Sequence, residues 1–217
     1  MEMTEKMQQK IDNGREYRSM QMNIADEDFI VEGYATTFDQ PYHLYFDSKG
    51  REVKEQVSRD AFLNTDMSDV IMQYNHEGRV FARQSNDTLN LSVDDHGLKV
   101  RAYLGGTEIG RNLYEEIKGG YTNKMSFGFT VAKDGMEKDD NGFLRTIQSV
   151  GKLFDVSAVS LPANNLTEIS ARNHCDGVIA AIDEEIRHQE EEQRILAEKK
   201  ENLMAKLNAL KGEANGN

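Results

Sequence analysis

The sequence predicts a mixed α/β fold that is rich in strands, with a few surrounding helices and one long C-terminal helix. Short runs of strand-like composition recur from Phe29 to Ala171, and most neighbouring runs are close enough to form hairpins. From about Val178 the composition changes abruptly to Glu, Lys, Leu and Ala, with no glycine before Gly212. Strands that outnumber helices in this way are typical of a compact barrel or sandwich.

The strand-like runs share a common pattern. Each is short, alternates apolar with polar side chains or is rich in β-branched and aromatic residues, and ends at turn-forming residues. The clearest case is a hairpin in which two alternating runs flank Asp94-Asp95-His96-Gly97. The predicted strands are 29–38, 51–57, 70–74, 89–93, 98–103, 125–131, 143–150 and 153–161.

Two helices are predicted within this strand-rich part. Ser58 can cap a short helix over 58–64, because its hydroxyl can accept hydrogen bonds from the free amides of the first turn. Thr107 can cap a second helix, which places three apolar side chains about four residues apart on one face and stops at two glycines. Those side chains are Ile109, Leu113 and Ile117.

The composition divides the chain into three segments. Residues 1–28 are polar without a clear period, which predicts a flexible arm, and residues 29–173 form the strand-rich domain. Residues 174–217 form a charged helix and tail. Ten positions of this helix recur at alternating spacings of three and four, and seven of them are apolar. They are Ile179, Ile182, Ile186, Gln189, Gln193, Leu196, Lys200, Leu203, Leu207 and Leu210. The pattern fits either a helix packed on its own domain or a coiled coil with a second copy or a partner.

Charge and cysteine content limit the classes of partner. The chain carries 26 Lys and Arg against 38 Asp and Glu, a net charge of −12, which argues against nucleic-acid binding. Cys175 is the only cysteine, which fits a reducing compartment because no intrachain disulfide can form. No run approaches the ~18 consecutive apolar residues of a membrane span. The N-terminal residues lack the apolar core of a secretory signal, so a cytoplasmic protein without membrane contact is expected.

Three polar residues stand out in apolar surroundings, whereas no P-loop, dinucleotide fingerprint, HExxH motif or paired CxxC occurs, so no metal or cofactor is predicted. His76 ends an apolar strand, where the sheet can hold its ring toward a cleft; the alternative is a structural histidine. Ser126 shares a strand face with Gly128 and Thr130, which leaves room for a substrate carbonyl; the alternative is a serine on the less buried face.

Asp155 lies in an apolar run, where an unpaired carboxylate is costly to bury, and an imidazolium is a suitable partner. Nucleophilic catalysis needs a base near the hydroxyl and a group that orients the base. Sequence spacing alone does not show whether these three residues meet.

Five short motifs in order resemble the prohead (capsid maturation) protease family of tailed phages. The resemblance covers roughly residues 29–173, and although each motif is short, their order and spacing are fairly specific. The motifs are Gly33-Tyr34-Ala35, Tyr74-Asn75-His76-Glu77, Asp94-Asp95-His96-Gly97-Leu98, Met125-Ser126-Phe127-Gly128-Phe129, and the run from Asp155 to Asn164.

The resemblance implies a fold similar to the β-barrel of the herpesvirus assembly proteases. It implies that Ser126 is the nucleophile, that His76 is the general base, and that Asp155 is the third member of a catalytic triad. Backbone amides around 163–165 are the candidate oxyanion donors.

The resemblance also implies a biological role. The expected protein is a serine endopeptidase in the immature prohead, in the host cytoplasm, which cleaves the scaffold, the major capsid protein and itself. Its C-terminal helix would pair with the scaffold or with a second copy. The rival hypothesis is a non-catalytic assembly or scaffolding protein that keeps a protease-like docking domain. The distance between the side chains of His76 and Ser126 discriminates between the two.

Overall fold

The structure of the protein, a computed structural model, describes residues 9–10, 13–160 and 167–214, and the side chains of these residues except 167–170 and 207–214. The chain divides after His174 into two compact units, each considered by itself below. No helix in the described part is long and apolar enough to cross a membrane.

The first unit is built on a ten-stranded sheet. The hydrogen-bonded order is β3-β4-β10-β9-β1-β2-β8-β7, with β5 paired to β10, and β6 paired to β5. An α-helix, α1 (Glu108–Lys118), and a 3-10 turn (Gln84–Asn86) lie between strands of this sheet. The strands are β1 (Arg15–Ile24), β2 (Ile30–Thr37), β3 (Tyr42–Phe46), β4 (Glu52–Val57), β5 (Ile71–Tyr74), β6 (Glu77–Arg83), β7 (Leu89–Val93), β8 (Gly97–Tyr103), β9 (Lys124–Lys138) and β10 (Gly142–Val159).

The strand-rich mixed α/β prediction is confirmed, but the sheet is not closed into a barrel. Among the described residues the terminal strands β3 and β7 pair only with β4 and β8. The end of β2 approaches β4 through a single bridge between Phe38 and Val57 and forms no ladder there. A barrel requires continuous pairing around the ring, which the described residues do not show, and the likeness to the herpesvirus assembly proteases stays a prediction.

Several local predictions are confirmed and others are wrong. The hairpin is formed by β7 and β8, and the Thr107 hydroxyl caps α1 by accepting a hydrogen bond from the Gly110 amide (3.0 Å). Residues 58–64 form consecutive turns without a helix. The two predicted strands that flank Gly151 are one strand, β10, which continues through bulges opposite β9.

The prediction that residues 1–28 form a flexible arm is wrong for strand β1. Residues Arg15–Gln21 pair antiparallel with β9, and Met22–Ile24 pair with β2. Three consecutive residues, Glu16, Tyr17 and Arg18, are buried, so β1 lacks the alternation of apolar and polar residues that predicts a strand. The segment has a polar composition because its buried charges find their partners far away in the sequence.

Those partners form a buried ion network on one side of β1. Arg18 donates to Glu16 (2.7 Å) and Glu55 (2.6 and 2.7 Å). Arg145, which is 1% exposed, donates to the same two carboxylates (2.8 to 2.9 Å) and to Asp134 (2.6 Å). Buried charges are tolerated when they are paired and hydrogen-bonded, and this network therefore fixes β1 to β4 and β10.

Acid should weaken the fold through Glu16. Burial by itself raises the pKa of Glu16, but the charges and hydrogen bonds of Arg18 and Arg145 outweigh it and lower the pKa from 4.5 to about 2. The folded state therefore gains stability above pH 4.5 and loses it as the pH falls from 4.5 toward 2, on the order of 3 kcal/mol. Thermal unfolding followed by circular dichroism should show this decline, and Glu16→Gln should flatten it. Equal pH slopes in the two proteins would contradict the assignment.

The long C-terminal helix, α2 (Thr167–Ala214), begins earlier than predicted. Its start takes in residues 167–171, which the sequence placed at the end of the strand-rich part. From Arg187 to Lys206 every residue is exposed.

Candidate active site

His76 is presented by a tight turn between β5 and β6. Tyr74 pairs with Glu77, so Asn75 and His76 are the two central residues of the turn. Both have positive φ, 51° and 61°, as a type I′ turn requires. A histidine in this conformation is uncommon, and the surrounding contacts must stabilise it.

The turn is tied to the end of β10 and to the N-terminal segment. The Asn75 amide donates to the Ala158 carbonyl (2.9 Å), and the Asn75 side-chain oxygen accepts from the Ser160 amide (3.1 Å). Lys10 Nζ donates to the His76 carbonyl (2.6 Å). These bonds fix the backbone of the turn and thereby limit where the imidazole of His76 can lie.

The pairing of β9 with β10 places the other two candidate residues, Ser126 and Asp155, next to that ring. Ser126 on β9 lies opposite Ser157 on β10, and two residues further along β9 Gly128 lies opposite Asp155. Directly opposed residues point to the same face of a sheet. Ser126 and Asp155 therefore share one face, and the hydrogen bonds of His76 show that its ring lies on that face.

The three side chains form one hydrogen-bonded series. His76 Nε2 lies 2.8 Å from Ser126 Oγ, and His76 Nδ1 is hydrogen-bonded to Asp155 Oδ1. Ser157 Oγ donates to the same carboxylate oxygen (3.0 Å). Because the carboxylate accepts, Nδ1 carries the proton and Nε2 is left to accept the proton of Ser126.

The series is almost completely buried. His76 is 2% exposed, Asp155 is 1% exposed, and Ser126 has no exposed surface. Arg15 lies with one guanidinium nitrogen 3.5 Å from Asp155 Oδ2 and rests on the ring of Phe154 (3.6 Å). That oxygen has no hydrogen-bond partner within the described part of the chain. Arg15 thus supplies a counter-charge to a carboxylate that water does not reach.

Strand β1 contributes two more side chains to this face. The Tyr17 ring meets the His76 ring edge-on, with 4.3 Å between the ring centroids, and burial raises the pKa of Tyr17 to about 12. Tyr17 therefore stays neutral, and its ring packs against the imidazole of His76. Ser19 lies directly opposite Ser126, and its buried hydroxyl has no hydrogen-bond partner among the described residues.

A cavity of about 470 Å³ opens beside this row. Tyr17, Ser19, Thr37, Tyr42 and Lys124 are among the residues that line it. Lys124 lies two residues before Ser126 on the same strand face. The cavity therefore adjoins the row that carries Ser126.

Gly128 creates the space that the acid occupies, so Gly128→Ala should impair the site. A Cβ at this position would lie 2.7 Å from Asp155 Oδ2 and 2.8 Å from a ring carbon of Tyr17. Relief requires both to move, which typically costs about 1–3 kcal/mol of stability and misplaces the carboxylate. Thermal unfolding and peptide hydrolysis should both decline. Gly106→Ala is the control, because its nearest neighbour lies 4.0 Å away; equal behaviour of the two variants would contradict this role.

The structure brings together all three residues that the sequence singled out. The proposed oxyanion donors at 163–165 lie outside the described residues. The sequence did not indicate Arg15, Tyr17 or Ser19, because their strand reads as a polar arm. Ser157 is not distinguished by the sequence either, although its hydroxyl donates a hydrogen bond to the carboxylate of Asp155.

A serine hydroxyl, an imidazole and a carboxylate in one series are the arrangement of the serine hydrolases, which is recognised by geometry whatever the order along the chain. Residues 16–178 match the family described as Caudovirus prohead serine protease, and the chain belongs to this family. The search of curated proteins and the search of solved structures each gave no match. Family membership implies a serine peptidase with a role in capsid maturation, acting on capsid proteins within the phage prohead in the host cell.

Proposed function

We propose that the chain is a serine endopeptidase that cleaves the scaffold and the major capsid protein during prohead maturation, and finally itself. Ser126 is the nucleophile, His76 is the general base and Asp155 orients and stabilises the imidazole. The observation that carries the proposal is the 2.8 Å contact between His76 Nε2 and Ser126 Oγ, with Nδ1 of the same ring bound to Asp155. Family membership supports capsid proteins as the substrate class.

Acylation follows from these contacts. Ser126 Oγ bonds to the scissile carbonyl carbon as its proton passes to His76 Nε2. The imidazolium that forms is stabilised by the carboxylate of Asp155 on its other nitrogen. When the C–N bond breaks, Nε2 returns the proton to the leaving amine, and the acyl group remains on Ser126.

Deacylation repeats the same steps with water. His76 Nε2 takes a proton from a water molecule as its oxygen attacks the acyl carbon. The bond to Ser126 Oγ then breaks, Oγ regains a proton from Nε2, and the new carboxyl end leaves. Every proton transfer uses the same nitrogen, so the position of the ring over Ser126 is decisive.

Burial of the site has two consequences. Hydrogen bonds and ion pairs are stronger where water is excluded. Because Ser126 has no exposed surface, a peptide reaches Oγ only when the groups that cover it move aside. The cavity lined by Ser19 and Lys124 adjoins that row, and we propose that substrate enters from there.

The alternative function is an assembly protein with an inactive protease-like docking domain. The buried hydroxyl of Ser126 is the observation that favours it. The contact between His76 and Ser126 favours the enzyme, because a docking domain has no need for an aligned base.

A fluorophosphonate probe separates the two functions. In the enzyme the probe should modify Ser126 and no other serine, as shown by mass spectrometry of the digested protein. Co-expression with the major capsid protein and the scaffold from the same phage should yield shortened products, and Ser126→Ala should not. Absence of both labelling and shortening would support the docking domain.

Asp155→Asn should slow cleavage severely while the protein stays folded. The amide can donate where the carboxylate accepts, which favours the wrong tautomer of His76 and removes the charge that stabilises the imidazolium; a loss of about 10⁴ in kcat is typical. Peptide hydrolysis with a fluorogenic substrate measures this loss. Activity close to that of the wild type would show that Asp155 is not the third member of the triad.

A further inference from the structure

The second half of α2 exposes apolar side chains that nothing in the described chain covers. Leu196 and Leu203 are 68% and 69% exposed, and Met204 is 52% exposed. A helix whose every face is in water gains no stability from packing, which is the main source of helical stability in proteins. Packing of these exposed leucines against a second helix would therefore stabilise this stretch.

The distribution of charge along α2 specifies the partner. Six of the ten residues from Asp183 to Glu192 are acidic and one is basic. From Arg194 to Lys206 four residues are basic and two are acidic. This part of the helix thus has an acidic stretch followed by a basic stretch. Two copies in opposite directions would place the acidic stretch of each beside the basic stretch of the other.

We propose that α2 pairs with α2 of a second copy as an antiparallel coiled coil centred between residues 194 and 195. The core positions of the helix fall into two sets seven residues apart: Ile186, Gln193 and Lys200 in one, and Gln189, Leu196 and Leu203 in the other. In an antiparallel pair each member of one set meets a member of the other. Only the register in which facing residue numbers add to 389 pairs all six of these positions.

That register gives one apolar layer, one polar layer and one mixed layer on each side of the centre. Ile186 meets Leu203 of the second copy, Gln193 meets Leu196, and Gln189 meets Lys200. Polar residues at core positions lower stability but fix register and partner number. The coiled coil should therefore be reversible and specific.

The flanking charges decide the direction. In this register Glu185 lies beside Lys206 of the second copy, and Glu192 lies beside Lys199; all four side chains are exposed. A parallel pair would instead place Glu185 beside Glu190 of the second copy. Opposite charges flank the antiparallel core, whereas a parallel core would carry repulsion.

Charge reversal tests the pairing in the full chain. All variants carry Ser126→Ala, so that no cleavage shortens the protein during the measurement. Sedimentation should show a monomer–dimer equilibrium, and Glu185→Lys with Glu192→Lys should raise the dimer Kd about tenfold or more. Adding Lys199→Glu and Lys206→Glu should restore the original Kd to within about threefold. A monomer at every concentration, or a dimer that ignores the first pair of changes, would overturn the proposal.

Spin labels measure the direction. A label on Glu184→Cys, which faces away from the proposed core, should lie about 32 Å along the axis from its equivalent in the antiparallel dimer. In a parallel dimer the two labels would be separated only across the pair. Arg194→Cys lies near the centre and should give a short distance in both cases, which controls for dimer formation. Cys175 is buried, so the reagent should leave it unmodified. A short distance between the labels at 184 would overturn the antiparallel register.

Discussion

Ser126→Ala should abolish peptide-bond cleavage and leave the fold intact. The substitution removes one buried oxygen that bonds only His76 Nε2 among the described residues, so the thermal midpoint should change little. Removal of the nucleophile from a triad typically lowers kcat by about 10⁶. Hydrolysis of a peptide substrate, together with the circular dichroism melting curve, measures both effects.

Ser157→Ala is the matched control for that experiment. Ser157 is also fully buried and lies directly opposite Ser126 on the neighbouring strand. Its hydroxyl donates to Asp155, whereas the described hydrogen bonds of the imidazole go to Asp155 and Ser126, so loss of the Ser157 hydroxyl should leave measurable activity. An inactive Ser157→Ala beside an active Ser126→Ala would show that the nucleophile is assigned to the wrong strand.

Arg145→Met should destabilise the protein more than any other single change discussed. The guanidinium of Arg145 binds Glu16, Glu55 and Asp134, and it is 1% exposed. Methionine fills part of the space but leaves three carboxylates with too little positive charge. Breaking a buried ion pair from one side typically costs about 3–5 kcal/mol. Urea unfolding should show a free energy of unfolding that is lower by this amount, and therefore a lower midpoint concentration.

Arg79→Met controls for the loss of a positive charge, because Arg79 is exposed and lies on β6. A surface change of this kind is usually worth within about 0.5 kcal/mol. If both arginine variants unfold at the same urea concentration, the network does not contribute to stability as argued. If Arg145→Met retains its stability but loses activity, the network acts on the position of β1 alone.

The three residues of the candidate site could be singled out from the sequence because each is polar in apolar surroundings, and the resemblance of the motifs then implied a role for each. Ser126, His76 and Asp155 are polar groups in or beside apolar strands, and that contrast is visible in the sequence. Their contact depends on strand register and on a two-residue turn with positive φ at both central residues. Neither the register nor the turn conformation could be read from an Asn-His pair at a strand end.

Strand β1 could not be predicted from the periodicity of the sequence. Its buried residues include Glu16 and Arg18. Arg145, 129 positions away, compensates the charge of Glu16, and Glu55, 37 positions away, compensates the charge of Arg18. Sequence patterns identify strands by apolar alternation, and a strand whose burial rests on ion pairs shows none. The supporting contacts of Arg15, Tyr17 and Ser19 were therefore not predictable.

The sequence by itself determined the strand-rich class, the hairpin, the capped helix α1, the long C-terminal helix and the three polar residues of the candidate site. These features depend on local periodicity, turn chemistry and composition, which a short window of residues contains. Only the tertiary structure decided that β1 belongs to the sheet, that β10 is one strand, that the sheet stays open, and that His76, Ser126 and Asp155 meet. The reason is physical: each of these depends on pairing between strands distant in the chain, and the energy of such pairing belongs to no local segment.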